Sequence, residues 1–286
     1  MIFAILGGDT RSAHLVELLR RDGHEVRAFA LEKAVDGCTE TAAAAVSGAA
    51  CIVLPLPCAR DGRLNAPLSA AEHTFESLLS AAGTETAVCA GRATEELCAI
   101  CAARGLALHD YFQNESFTLK NAALTAEGAL GILLAQPWAL RGSRVLVCGF
   151  GRIGRMLAGM LVPLGCEVTV AARRADARTQ AVLSGCRAIL PQQAAEGAWD
   201  AVVNTVPATL FGPQMLRSFG DACLIELASP PYGFDFQAAQ ALGKEIVLAS
   251  GLPGKCAPQA AAQAVKETVY EIMEESAWKN CGSGWR

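Results

Sequence analysis

The chain has 286 residues, 52% of them hydrophobic and 18% charged, with a formal net charge of −4. That length accommodates two domains, each with its own core, and the composition is that of a globular protein, not a disordered one. The negative balance gives no electrostatic case for binding nucleic acid. With aromatic residues at 6% and no basic run interleaving them, stacking platforms for a single strand are missing as well.

The opening MIFAILGGDTR has no basic segment followed by a long apolar run and a small-residue cleavage site, so it does not read as a signal peptide. Apolar runs elsewhere break at Gly, Pro or charge before the roughly 18 residues that a membrane span needs. The expectation is a cytoplasmic protein without membrane contact. Twelve cysteines sit mostly singly in apolar runs such as Ala50–Val53 and Val147–Gly149, where thiols act as small buried hydrophobes. Cys98 and Cys101 form the one C-x-x-C pair, without a second pair or a His cluster nearby, and no metal site is expected.

In chain order, MIFAILGG is a strand ending in glycines, RSAHLVELLRRDG a helix with a glycine stop, and HEVRAFAL a strand. ACIVLPLP and TAVCAG are further strands, TEELCAICAARG a helix and LALHDY a short strand. Residues 116–136 form one long helical pattern before Pro137. Strands are expected at 144–149, 167–172, 200–205, 222–228 and 245–249. From Pro258 the pattern is an amphipathic helix with Val265, Val269 and Ile272 on one face. Strands alternating with helices imply parallel sheets covered on both faces. The expected fold is α/β, with two doubly wound parallel-sheet domains linked by long helices. Residues 1–120 form a substrate and catalytic domain, onto which a C-terminal helix over 258–286 packs back. Residues 121–257, with their leading helix, form a Rossmann dinucleotide-binding domain.

That assignment rests on VLVCGFGRIGRMLAGML, in which a strand runs into G-x-G-x-x-G and then a helix. Gly149 permits the tight turn, Gly151 lets the backbone approach a pyrophosphate, and Gly154 lets helix and strand pack closely. The helix N-terminus adds free amides and a positive dipole end; Arg152 and Ile153 stand there and belong to the same cofactor site. An acid closing the second strand would bond the ribose hydroxyls of NAD. This chain instead has Ala171-Ala172-Arg173-Arg174, and guanidinium groups suit the 2′-phosphate of NADP. NADP is therefore the expected cofactor.

Ligands of open parallel sheets lie beyond the carboxyl ends of the strands. In NTVPA, Asn204 or Thr205 is placed to hydrogen-bond the nicotinamide ribose or carboxamide, with Pro207 stiffening the turn. Asp235, after SPPYGF, reads first as a helix N-cap. In GLPGKCAP, Gly251, Pro253 and Gly254 shape a tight turn presenting Lys255, which can hold a carboxylate or accept a proton. Arg11, near a helix start after GGDT, suits a carboxylate, and Asp9 and Thr10 read as caps. Glu127, among small residues in LTAEG, is a candidate proton acceptor if embedded there.

Taken together, GGDTR, LTAEG, GFGRIGR, AARR, NTVPA, ELASPPYGFD and GLPGKCAP resemble the successive motifs of the family formed by the A subunits of dipicolinate synthase, found in endospore-forming bacteria. The likeness spans nearly the whole chain and is weakest over residues 35–80. It implies an NADP-dependent oxidoreductase of the diaminopimelate route, active in sporulation. Dihydrodipicolinate, formed from 4-hydroxytetrahydrodipicolinate, would be oxidised to pyridine-2,6-dicarboxylate. It also implies a partner, the flavoprotein-like B subunit of dipicolinate synthase, and a domain layout similar to 2-hydroxyacid and alanine dehydrogenases. Unlike those relatives the chain has no obvious catalytic histidine, as His14, His24, His73 and His109 lie outside recognisable motifs. On this reading Arg11 and Lys255 hold the two carboxylates of the substrate and Glu127 takes the proton. Two other readings stay open: another NADP-linked dehydrogenase of 2-hydroxy or amino acids, and an NADP-binding protein inactive without its partner. Assembly into a homo-oligomer is also left open.

Overall fold

The computed structural model describes residues 1–280. Two compact units make up the chain, one of Met1–Asn121 with the chain from Ala257 onward, the other of Ala122–Cys256.

The first unit contains β1 (Ile2–Leu6), α1 (Thr10–Arg21), β2 (Glu25–Phe29), α2 (Ala42–Val46), β3 (Cys51–Val53), a small hairpin of β4 (Ala59–Arg60) and β5 (Arg63–Leu64), α3 (Phe75–Leu78), β6 (Ala87–Ala90), α4 (Glu95–Arg104) and β7 (Ala107–Asp110). Its main sheet is all parallel in the order β2-β1-β3-β6-β7. The order reverses direction between β1 and β3, which makes their carboxyl ends the switch point where a ligand crevice forms. Local chemistry explains the helix boundaries. Asp9 caps α1 by accepting from the Arg11 amide, and Arg20 and Arg21 face its negative end. Thr94 caps α4, which stops at Gly105 with φ +66°.

Helix α5 (Glu115–Leu134) starts in the first unit and continues into the second. The second unit then has β8 (Arg144–Cys148), α6 (Arg152–Leu161), β9 (Glu167–Ala171), α7 (Ala175–Leu183), β10 (Arg187–Ile189), β11 (Ala201–Asn204), α8 (Pro213–Ser218), β12 (Cys223–Glu226), α9 (Phe236–Ala241), β13 (Ile246–Leu248) and α10 (Leu252–Cys256). Its six strands are parallel in the order β10-β9-β8-β11-β12-β13, the doubly wound dinucleotide-binding arrangement, with the switch point between β8 and β11. One sheet face packs on Ala126, Ala129 and Leu133 of α5 and Leu157 and Leu161 of α6. The other packs on Phe211, Leu216, Phe219 and Phe234.

Helix α11 (Pro258–Asn280) returns to the first unit, where Val265 and Val269 are buried with Ile272 beside them, among Phe3, Leu15 and Leu19. Lys266 and the Tyr270 hydroxyl both donate to Asp22 at the end of α1, at 2.7 and 2.8 Å. The rest of the helix expected over 258–286, residues 281–286, lies outside the described residues.

Three features differ from the sequence expectation. Strand β10 is only three residues long, too short for an alternating pattern to register. The 59–64 hairpin has two residues per strand. The turn expected at 251–255 is instead the short helix α10, because Pro253 suits a first helical turn and the Gly254 and Lys255 amides bond back to Gly251. No helix among the described residues is long and apolar enough to cross a membrane.

Candidate nucleotide and substrate sites

At the switch point of the second unit, β8 ends in Gly149-Phe150-Gly151 and α6 begins at Arg152. The three glycines answer to different constraints. Gly149 has φ +92°, and a Cβ there would lie 2.5 Å from the Thr205 hydroxyl. A Cβ on Gly154 would collide with the Gly149 carbonyl oxygen, so this glycine seats α6 on the loop. Gly151, the N-cap of α6, is exposed and no protein atom would touch its Cβ. The space it leaves open lies at a helix N-terminus with no side-chain cap, where the amides of the first turn and the positive dipole end suit a pyrophosphate. Arg155 braces the loop by donating from Nε to the Phe150 carbonyl at 3.0 Å. The residues present thus fit a dinucleotide. Arg152 is exposed and Ile153 half-buried at the same helix start.

Beyond β9, Ala171 and Ala172 are buried and Arg173 and Arg174 exposed. The two arginines are not equivalent. Arg174 forms a two-pronged ion pair with Asp176, while Arg173 extends from a turn that Arg178 fixes by donating to the carbonyls of Ala172 at 2.8 Å and Arg173 at 2.6 Å. Of the two guanidinium groups expected here, Arg174 is thus engaged by an exposed carboxylate two residues along the chain, and both stay at the surface. That ion pair holds the Asp176 carboxyl below the usual aspartate range.

Beyond β11 the sequence expectation needs a correction. Asn204 is fully buried and its amide is consumed inside the protein. Nδ2 donates to Glu226 Oε1 at 2.7 Å and to the Val206 carbonyl at 2.9 Å, and Oδ1 accepts from the Val206 amide at 3.1 Å. Thr205 donates its hydroxyl to the Cys148 carbonyl at 2.8 Å, tying β11 to β8. Neither has a spare donor for a nicotinamide; both shape the loop, and Pro207 stands exposed beside them. Sequence reasoning missed Glu226, a fully buried carboxylate at the end of β12 that also accepts from the amides of Ala228, Gly233 and Phe234. A lone acid inside the apolar run CLIEL was the available signal. Burial, and then the Glu226 charge, push the Cys148 thiol well up. Asp235 is the N-cap of α9, accepting from Ala238 at 2.9 Å.

Lys255 is exposed on α10 and Glu127 exposed on α5. The condition set for Glu127 as a proton acceptor, that it be embedded among its small neighbours, is not met: Ala126 and Gly128 are buried, but Glu127 itself is exposed.

At the switch point of the first unit, a small pocket is lined by Asp9, Arg11, Ser12, Leu56, Tyr111 and Val265, among others. Arg11 Nε and Nη2 grip the Asp9 carboxylate at 2.9 and 2.8 Å, and Nη2 also donates to the Leu56 carbonyl at 2.6 Å. The guanidinium side chain is 13% exposed. Burial alone would lower the Arg11 pKa, but the Asp9 hydrogen bond and charge prevail and raise it. Asp9 is opposed by burial in the other direction and is nevertheless held below the usual carboxylate range by Arg11. The buried Tyr111 hydroxyl donates to the Leu54 carbonyl at 3.0 Å, and burial pushes its pKa up. The pocket therefore presents a fixed cation on an apolar wall, a surface suited to a carboxylate.

The doubly wound second unit and its glycine cradle define a dinucleotide-binding domain of the kind dehydrogenases carry. Residues 107–218 match the family model of the D-isomer specific 2-hydroxyacid dehydrogenase NAD-binding domain. Residues 2–112 match that of the N-terminal domain of the dipicolinate synthase A subunit. The A subunit of dipicolinate synthase from Bacillus subtilis is 30% identical over 168 residues, which is 57% of this chain and 57% of the relative's own length. The crystal structure of the dipicolinate synthase A subunit from Bacillus halodurans superposes with a TM-score of 0.82 at 23% identity, covering 95% of this chain and 97% of that one. D-lactate dehydrogenase from Escherichia coli superposes with a TM-score of 0.66 at 14% identity, over 99% and 98% of the two chains. At these identities the structural likeness concerns the fold.

Proposed function

We propose that the chain oxidises dihydrodipicolinate, formed by loss of water from 4-hydroxytetrahydrodipicolinate, to pyridine-2,6-dicarboxylate during sporulation, with NADP as cofactor and the flavoprotein-like B subunit of dipicolinate synthase as partner. The observation that carries the reading is the fixed Arg11 cation at the ligand-binding end of a unit whose sequence matches the N-terminal domain of dipicolinate synthase A subunits. The reaction removes one hydride and one proton from the dihydropyridine ring and leaves an aromatic dicarboxylate. NADP⁺, when bound, supplies the hydride acceptor.

The chain's own residues supply position and charge. Arg11 takes one substrate carboxylate in charge-assisted hydrogen bonds without having to be ordered first, because Asp9 and Leu56 already hold it. Gly151 and the start of α6 seat the pyrophosphate, and Arg173 takes the 2′-phosphate. Lys255 and Glu127, both exposed in the second unit, are the candidates for further charge and for the departing proton. Aromatisation favours the products, so a dedicated histidine base is dispensable.

The test mixes the chain, with and without the flavoprotein-like partner, with freshly made cyclic substrate and NADP. NADPH and pyridine-2,6-dicarboxylate should rise one to one by absorbance. Aromatic product without NADPH would remove the mechanism, and turnover of simple 2-hydroxy or amino acids instead would assign a different dehydrogenase.

A further inference from the structure

The first unit carries a second guanidinium at the ligand-binding end of its sheet, one that the sequence motifs do not single out. Strand β6 runs into Gly91 and Arg92, two strands away from β1 and its Arg11 loop. The two arginines are connected through a short, packed path. Arg11 donates to the Leu56 carbonyl, and a Cβ on Gly91 would lie 2.7 Å from Leu56 Cβ and 2.7 Å from the Tyr111 hydroxyl. The Gly91 amide donates to the Pro55 carbonyl at 3.2 Å, and the Cys58 amide donates back to the Gly91 carbonyl at 2.7 Å.

Arg92 itself stands in an unusual backbone state for its residue type. Its φ is +58°, in the left-handed region where glycine or asparagine would sit with less strain. The state is enforced by Asp110, whose carboxylate accepts from the amides of Arg92 at 2.9 Å, Ala93 at 3.1 Å and Phe112 at 2.9 Å. The guanidinium carbon lies 5.5 Å from the Phe112 ring centroid, a cation–π seat that fixes its direction. An exposed arginine held in a conformation that disfavours it, on a built platform, is retained for its side chain, not for the turn.

We propose that Arg92 holds the second carboxylate of the substrate, opposite Arg11. This rests on the dicarboxylate reading above. Neighbouring strands are ~4.8 Å apart, so two strand steps separate the two loops by ~10 Å. Guanidinium groups raised from two loops at that backbone spacing can each take one carboxylate of a six-membered-ring dicarboxylate in a hydrogen bond of ~2.8 Å. It makes the first unit a reader of two acidic groups and accounts for dicarboxylate selectivity without Lys255.

The experiment measures equilibrium binding of pyridine-2,6-dicarboxylate and pyridine-2-carboxylate to the full chain, with NADPH binding followed in parallel. Arg92→Gly keeps the left-handed backbone and removes the side chain, the guanidinium and its seat on Phe112 included. It should melt no lower than the wild type, bind NADPH unchanged, lose about 10–100-fold in affinity for the dicarboxylate, and hold the monocarboxylate within about twofold. Unchanged dicarboxylate binding, equal loss for both acids, or transfer of the selective loss to Lys255→Ala would overturn the assignment. A wild type that binds neither acid would instead sink the dicarboxylate reading itself, and this shows before any variant is made.

Discussion

Asn204 and Glu226 sit side by side in register on the parallel strands β11 and β12, joined by a 2.7 Å hydrogen bond with both side chains fully buried. The pair locks two of the loops at the ligand-binding edge of the second sheet, since Glu226 also gathers three amides of the 228–234 segment. Gly233 is required there, because a Cβ would run into the Asn204 amide group. Glu226→Ala should cost about 3 kcal/mol in urea unfolding, because it strands three amides and one Asn donor without partners. Hydrogen exchange at Gly233 and Phe234 should accelerate before global unfolding. Glu226→Gln, which turns one acceptor into a donor facing donors, should cost about 2 kcal/mol. Unfolding midpoints and native-state exchange check both values.

The glycine loop separates folding from binding. Gly151→Ala meets no protein atom, so its stability should fall by only about 0.5 kcal/mol, from the poorer N-cap. NADPH and NADH binding should both drop at least about tenfold, because the methyl group occupies the space of the pyrophosphate. Gly154→Ala should do the reverse in order of severity, losing about 2 kcal/mol as α6 is pushed off the Gly149 carbonyl. Thermal melts and fluorescence titrations of the two variants distinguish these outcomes.

These contrasts mark where the sequence is legible. The strand, glycine turn and helix of 144–161 are contiguous, so their periodicity and spacing carry the whole arrangement. The α/β class follows from the same alternation repeated along the chain. Asn204 misleads because a polar residue at a strand end looks like a ligand contact, while the partner that absorbs it lies 22 residues on and is brought alongside only by strand register. The pairing of Arg174 is local and within reach of the sequence, since Asp176 stands two residues away. Arg92 is illegible for a different reason. Nothing in CAGRATEE reveals that Asp110 will force a left-handed φ at its arginine.

Cofactor choice should follow the inequality between Arg173 and Arg174. Arg173→Asp is expected to weaken NADPH about 10–100-fold and NADH within about threefold, since only NADPH carries the extra phosphate. Arg174→Ala should have a smaller effect, because that guanidinium already answers Asp176. Asp176→Asn should tighten NADPH by releasing Arg174. Paired titrations with the two nucleotides read all three, and equal losses for both nucleotides in Arg173→Asp would reject the phosphate contact.

Acid sensitivity should report the Asp9–Arg11 pair. The folded Asp9 carboxyl titrates below its ordinary value of 3.8, against the burial that opposes it, because Arg11 bonds it and carries the opposite charge. Between the depressed folded value and 3.8 the unfolded chain therefore binds more protons than the native one, and stability rises with pH there. The contribution is complete above the unfolded value and is lost as pH falls through the folded one. Arg11 stays charged throughout. Asp9→Asn leaves that cation largely buried without its anion and should cost about 2 kcal/mol at pH 7, the one-third exposure of Asp9 keeping the loss below that of a fully buried pair. As pH falls from 3.8 through the depressed folded value the wild-type carboxyl becomes neutral too, so the gap between the two proteins should narrow over that range. Urea unfolding of both at about pH 7, 5, 4 and 3 measures it. A gap that stays constant or widens with acid would mean that Asp9 acts through shape as the cap of α1 and not through its charge on Arg11.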